Sequence, residues 1–253
     1  MIKLGVKGDI FDDIELIIFD KDGTLFQLYP YWSKVAFKRA ELISESLGIS
    51  DGSLIDWITS AMGVNLKDKN MNPKGPIGIY NRSYIQDLLY NGLKKKGYAI
   101  EKDMILDSFN EVDGYINQDD VLRSALVPVN GLIEFLNRIE GECKCAIFSY
   151  DQTGNLKHIA EMFGIDKNFD LYLGGDQVKY PKPEPWGATK IMEELNVSPE
   201  KTAFVGDSIF DIECGKRAQC RLLINIISDI SDMIKIDSIS HASIRDFSEL
   251  NVY

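Results

Sequence analysis

The sequence predicts an α/β protein: a three-layer core on a parallel sheet, an inserted α-helical cap domain and an N-terminal β-hairpin. Three observations carry that prediction. Short apolar runs at 14–19, 145–148, 169–173, 202–206 and 221–227 have the length and composition of parallel strands buried on both faces. Segments with helical apolar spacing alternate with the later runs, as repeated strand-helix units require. Between the first run and the second lies an insertion of roughly a hundred residues, too long for a crossover helix.

Each element has a local reason. Residues 1–13 alternate apolar and polar positions around Gly5, Gly8 and Asp9, the pattern of a hairpin placed before the core. Within the insertion, 33–47 and 79–93 show helical apolar spacing, and 62–78, punctuated by Gly and Pro, reads as an irregular loop. Lys94, Lys95 and Lys96 before Gly97 read as a solvated helix end that complements the dipole. Tyr29, Tyr31 and Trp32 read as hinge and cap packing. Further helices are expected at 131–139, at 155–163 with Gly164 as terminator, and at 185–195 with Pro185 at the first helical position. The predicted boundaries are 1–27 with 125–253 for the core and 28–124 for the cap.

Candidate chemistry collects where the strands end. Asp20 and Asp22 follow the first run directly, and Gly23 lets the chain turn sharply. Open α/β sheets bind ligands beyond the carboxyl ends of their strands. Two acids on one turn can divide labour: an ionised carboxylate attacks phosphorus or holds a divalent cation, while a protonated neighbour serves the leaving group. Asp and Gly are equally turn residues. Ser149 follows the second run and offers a hydroxyl and following backbone N–H groups to an anion, or simply starts a turn. Lys182 stands between Pro181 and Pro183, which restrict where its ammonium points; a proline-rich linker would look similar. Asp207 and Asp211 follow the fourth run four residues apart. If a helix starts near Ser208, both face one cation or cap the helix. Gly206 suggests close approach of backbone to a ligand.

These residues in this order resemble the four motifs of the haloacid dehalogenase-like hydrolases, in their phosphatase branch: Phe-Asp20-Lys-Asp22-Gly-Thr-Leu, Ser149, Lys182 and Gly-Asp207-Ser-x-x-Asp211. The resemblance spans 14 to about 227. It implies a Rossmann-like core, with Asp20 as nucleophile forming an aspartyl-phosphate and Asp22 as general acid, then base. It further implies phosphate contacts from Ser149, the backbone N–H groups after it at Tyr150, and Lys182, with Gly23 and Thr24 lining the substrate site. Mg2+ would be held by Asp20, Asp207 and the backbone carbonyl of Asp22, with Asp211 supporting. The family's dehalogenases lack the second acid, so Asp22 argues against carbon-halogen cleavage. Its transport ATPases carry Thr at the place of Asp22. The insertion resembles the helical cap of phosphoglycolate phosphatase and β-phosphoglucomutase relatives, a lid that excludes water and selects substrate.

The expected function is hydrolysis of a small phosphorylated metabolite, with a phosphomutase or a noncatalytic phospho-ligand-binding protein as alternatives. In the cap, Arg82, with Lys67, Lys69 and Lys74, is a candidate contact to an anionic substrate. A net charge of −11 disfavours nucleic acid and anionic membranes, which want basic surface. No targeting pattern opens the chain, so the cytoplasm is expected. Four cysteines without a secretion signal read as small buried hydrophobes, and His158 and His241 fall outside the motifs. The sequence is silent on oligomeric state.

Overall fold

A computed structural model describes residues 1–49, 51–231 and 233–253. The chain forms two compact units, residues 1–27 with 128–253 and residues 28–127. From the N-terminus run β1 (Ile2–Val6), β2 (Asp9–Ile14) and β3 (Leu16–Phe19). The inserted unit holds α1 (Leu28–Ser46), α2 (Gly52–Ala61), β4 (Val64–Asn65), β5 (Asn70–Met71), α3 (Arg82–Lys95), α4 (Lys102–Ile116) and α5 (Asp119–Ala125). The chain then continues through α6 (Leu132–Ile139), β6 (Lys144–Phe148), α7 (Thr153–Phe163), β7 (Leu171–Leu173), α8 (Trp186–Glu194), β8 (Thr202–Gly206), α9 (Ile209–Arg217), β9 (Leu222–Ile226), α10 (Met233–Ile236), β10 (Ala242–Ile244) and β11 (Leu250–Val252). No helix among the described residues is long and apolar enough to cross a membrane.

The first unit is built on a six-stranded sheet in the order β10-β9-β8-β3-β6-β7, parallel at every pairing. All four residues of β3 are buried, as a central strand covered on both faces demands. Alternation along it divides the core. Leu16 and Ile18 join Phe148, Phe204, Ile191, Met192, Ile212 and Cys214 on one side. Phe19 meets Phe135, Phe169 and Phe247 on the other. Gly187 in α8 makes the first contact possible, because a Cβ there would lie 2.3 Å from the Phe148 ring. The two chain connections to the inserted unit run side by side: Phe26 bridges Pro128, and the Val129 N–H donates to the Leu25 carbonyl.

Several boundaries differ from expectation. The N-terminal hairpin is present, but β11 pairs with β1 to make a three-stranded antiparallel sheet. Phe169 and Asp170 lie outside β7; the Asp170 carboxylate instead accepts the Cys145 N–H at 2.9 Å. Pro185 occupies the cap position before α8 rather than its first turn. The inserted unit reaches Val127, beyond the expected Ser124, because α5 runs to Ala125 and the Leu126 N–H still bonds to Leu122. The expected loop 62–78 contains the short antiparallel pair β4 and β5. Gly164 does end α7 in a left-handed conformation. Tyr31 and Trp32 pack edge to face against Val35, Val112, Ile116 and Ala125 within the inserted unit.

Candidate active site

The strand order places β3 between β6 and β8, with the chain reversing its direction of travel across the sheet beside β3. Such a switch point opens a crevice at the carboxyl ends of the strands. Register does the rest: Phe19 pairs with Ile147 on one side and Val205 on the other. Asp20, Ser149 and Asp207 therefore leave three adjacent strands at one edge, all buried.

Lys182 ties the ends of β3 and β6 to Asp211. Its side chain is 1% exposed, and its ammonium donates to Oδ1 of Asp20 at 2.6 Å, Oδ1 of Asp211 at 2.7 Å and the Phe148 carbonyl at 2.7 Å. Burial works against this ammonium, but Asp20 and Asp211 outweigh it and raise its pKa. Burial pushes the Asp20 carboxyl up to about 7 against the pull of Lys182. Burial, then repulsion from Asp211 and Asp20, holds the Asp207 carboxyl well above the ordinary range.

Carboxylate oxygens of Asp20, Asp207 and Asp211 lie within 4.8 Å of one another. These are hard oxygen donors, buried together, and Lys182 offsets one charge of the three. A divalent cation of the Mg2+ type fits that donor set. The Asp22 side chain lies outside the cluster; Lys21 takes its Oδ1 at 3.0 Å.

The acids are held by partners that sequence reasoning missed. Ser228 Oγ donates to Oδ2 of Asp207 at 2.6 Å, and Ser231 Oγ to its carbonyl at 2.8 Å. Both serines lie past β9, and no local pattern marks them. Asp211 serves as cap and as site residue at once: its Oδ2 accepts from the Ser208 backbone N–H and hydroxyl, while its Oδ1 holds Lys182. That explains Gly206 differently from the expected ligand approach. A Cβ on Gly206 would sit 2.2 Å from the Asp211 Cβ, so the close neighbour is Asp211 itself. Likewise a Cβ on Gly23, whose φ is +82°, would meet the Asp207 carboxylate at 2.1 Å.

The remaining expected residues divide. The Thr24 hydroxyl is buried without a hydrogen-bond partner among the described residues, in a loop whose Leu25 and Phe26 N–H groups close onto the Lys21 carbonyl. The Ser149 N–H is spent on the Leu173 carbonyl, and its hydroxyl accepts the Asp151 N–H at 3.2 Å. Tyr150 donates its hydroxyl to the Lys182 carbonyl at 2.8 Å, and burial pushes that phenol up to about 12. In the inserted unit Arg82 pairs with Asp113 and donates to Asn110 at 2.7 Å, and Arg39 bonds the same Asp113. The four cysteines are free and buried, and burial raises their thiol pKa values.

A family model described as haloacid dehalogenase-like hydrolase matches residues 14–219. Phosphorylated carbohydrates phosphatase of Thermotoga maritima is 27% identical over 219 residues, 87% of this chain and 88% of that protein. Phosphoglycolate phosphatase of Aquifex aeolicus is 40% identical over 75 residues, 30% of this chain and 35% of the relative. The chain thus spans less than half the length of several curated relatives it matches. Among solved structures, one described as a predicted phosphoglycolate phosphatase from Haemophilus somnus aligns with a TM-score of 0.70 at 19% identity, covering 94% of this chain and 96% of that one. At that identity the likeness speaks for the fold.

Proposed function

The chain belongs to the haloacid dehalogenase-like hydrolases, and from that membership we propose that it is a Mg2+-dependent phosphatase acting on a small phosphorylated metabolite through an aspartyl-phosphate. The observation that carries this reading is the meeting of Asp20, Asp207 and Asp211 within 4.8 Å around an ammonium 2.6 Å from Asp20. Residues from three separate stretches of the chain thereby meet at one centre, where three carboxylates face one ammonium and a divalent cation would offset the remaining charge.

Asp20 and Asp207 would hold the cation with the Asp22 backbone carbonyl, and Asp211 would support them. When bound, Mg2+ would neutralise phosphate charge and polarise a phosphoryl oxygen. The chain's own residues then act in two steps. An Asp20 carboxylate oxygen bonds to phosphorus as the bond from phosphorus to the ester oxygen breaks, and that oxygen takes a proton from Asp22. Water next bonds to the same phosphorus, Asp22 takes its proton, and the Asp20 oxygen leaves. Lys182 holds Asp20 in place and offsets charge, while Ser149 and Thr24 offer hydroxyls to the phosphate oxygens. Substrate choice is assigned to the inserted helical unit.

The test is phosphate release from a panel of phosphorylated metabolites, with Mg2+ or with chelator. Release that stops with chelator and resumes with Mg2+ is expected. Absence of release from every compound by folded, Mg2+-loaded protein would overturn the reading.

A further inference from the structure

Lys21 stands in sequence between the two proposed reacting acids, and neither step above uses it. Its side chain is 4% exposed, with its ammonium 3.0 Å from Oδ1 of Asp22 and 3.1 Å from Oδ2 of Asp151. A buried ammonium persists only where it is paired. Asp151 is itself anchored: its Oδ1 accepts the Gln152 N–H at 2.7 Å and the Asn155 side-chain amide at 3.1 Å, at the start of α7. Asp22, by contrast, keeps a side chain 30% exposed on the loop that leaves β3.

We propose that Lys21 is a positioning residue. Tied through Asp151 to the start of α7, it clamps Oδ1 of Asp22 and so presents Oδ2 to the leaving-group oxygen. Asp151 works at both ends of this connection. Its backbone N–H occupies a lone pair of the Ser149 hydroxyl, which leaves that O–H to donate toward a phosphate oxygen. One short polar chain, Ser149 to Asp151 to Lys21 to Asp22, thus sets the orientation of a phosphate contact and of the proton donor together. Buried ion pairs add little to stability beyond what apolar packing would supply. What they fix is geometry, and misplacing a reacting group by an ångström slows a reaction by about 10²-fold. Asp151 is the anchor of this connection.

The inference rests on Asp22 being the general acid and base, and the experiment separates the two. Full-length K21M, D151N and D22N are compared with the parent enzyme by rapid quench, following release of the leaving group and covalent phosphate. The substrates are an alkyl phosphate, glycerol phosphate, and 4-nitrophenyl phosphate, whose phenolate departs without a proton. In K21M and D151N the first step on glycerol phosphate should slow on the order of 10²-fold, with KM unchanged. The first step on 4-nitrophenyl phosphate should stay near the parent rate, and a burst of nitrophenolate should appear because the second step still needs Asp22. Equal losses on both substrates, or no loss, would overturn the proposal. A D22N enzyme without the leaving-group split overturns the acid-base reading and this inference with it. A split in D22N that K21M and D151N lack overturns the inference alone. If K21M does not fold, D151N, which keeps the side-chain shape, carries the test.

Discussion

The ammonium of Lys182 donates to Oδ1 of Asp20 across 2.6 Å although the two residues are 162 positions apart. Through its further bonds to the Phe148 carbonyl and Asp211, this side chain joins the ends of β3 and β6 to the first turn of α9. The site is therefore also a structural joint. Charge and fold depend on the same contacts.

Replacing Lys182 with Met removes the cation from among buried carboxylates. Breaking a buried pair in this way destabilises by about 3–5 kcal/mol. Urea unfolding in chelator should show that loss, and saturating Mg2+ should recover part of it. A variant as stable as the parent in chelator would show that the carboxylates find another partner.

Asp20→Asn keeps the shape and removes the nucleophile. Turnover should fall on the order of 10⁴-fold or more, and no phosphate should remain covalently bound after acid quench. Because burial already favours the neutral Asp20 carboxyl, the thermal midpoint in chelator should match or exceed that of the parent. A fall in that midpoint would contradict the burial argument.

Without metal, stability should depend on pH in a defined direction. The folded-state pKa of Asp20 is raised to about 7 by burial, above the ordinary 3.8, and that of Asp207 is raised as well. A raised carboxyl binds its proton more tightly in the folded protein, so its contribution is full below the unfolded value and is lost as pH rises through the folded value. Lys182, raised too, stays charged throughout. The thermal midpoint in chelator should therefore drop from about pH 5 to pH 8, and the stabilisation by Mg2+ should grow over the same range. Midpoints flat with pH in chelator would remove the protonated carboxyls from this account.

Gly206→Ala tests the packing of the site rather than its charge. A Cβ there would lie 2.2 Å from the Asp211 Cβ, in a buried strand end that cannot yield without moving the carboxylate. Overpacking of this kind destabilises by about 1–3 kcal/mol. Displacing Asp211 should also loosen Lys182, so activity should fall further than the stability loss alone explains. Denaturant unfolding beside steady-state kinetics checks both.

Much of the core was legible because its signals are local. A buried parallel strand announces itself by continuous apolar residues, and Asp20, Ser149 and Asp207 each follow one directly. The Gly164 terminator and the turn at Gly23 follow from backbone sterics at single residues. Where expectation failed, the deciding partner was distant. β11 completes the N-terminal sheet from the far end of the chain, and Gly206 yields to a side chain that only helix geometry brings back to it. Ser228 and Ser231 carry no motif, yet they hold Asp207.

By itself, then, the sequence determined the strand-end acids, the flanked lysine and the helical insertion, because pattern and backbone preference act over a few residues. Tertiary structure alone decided which oxygen Lys182 holds, that Asp22 faces Lys21 and not the carboxylate cluster, and that Asp151 anchors Lys21. Those choices depend on strand register and on burial, through which charges distant in sequence compete for the same partners once water is excluded.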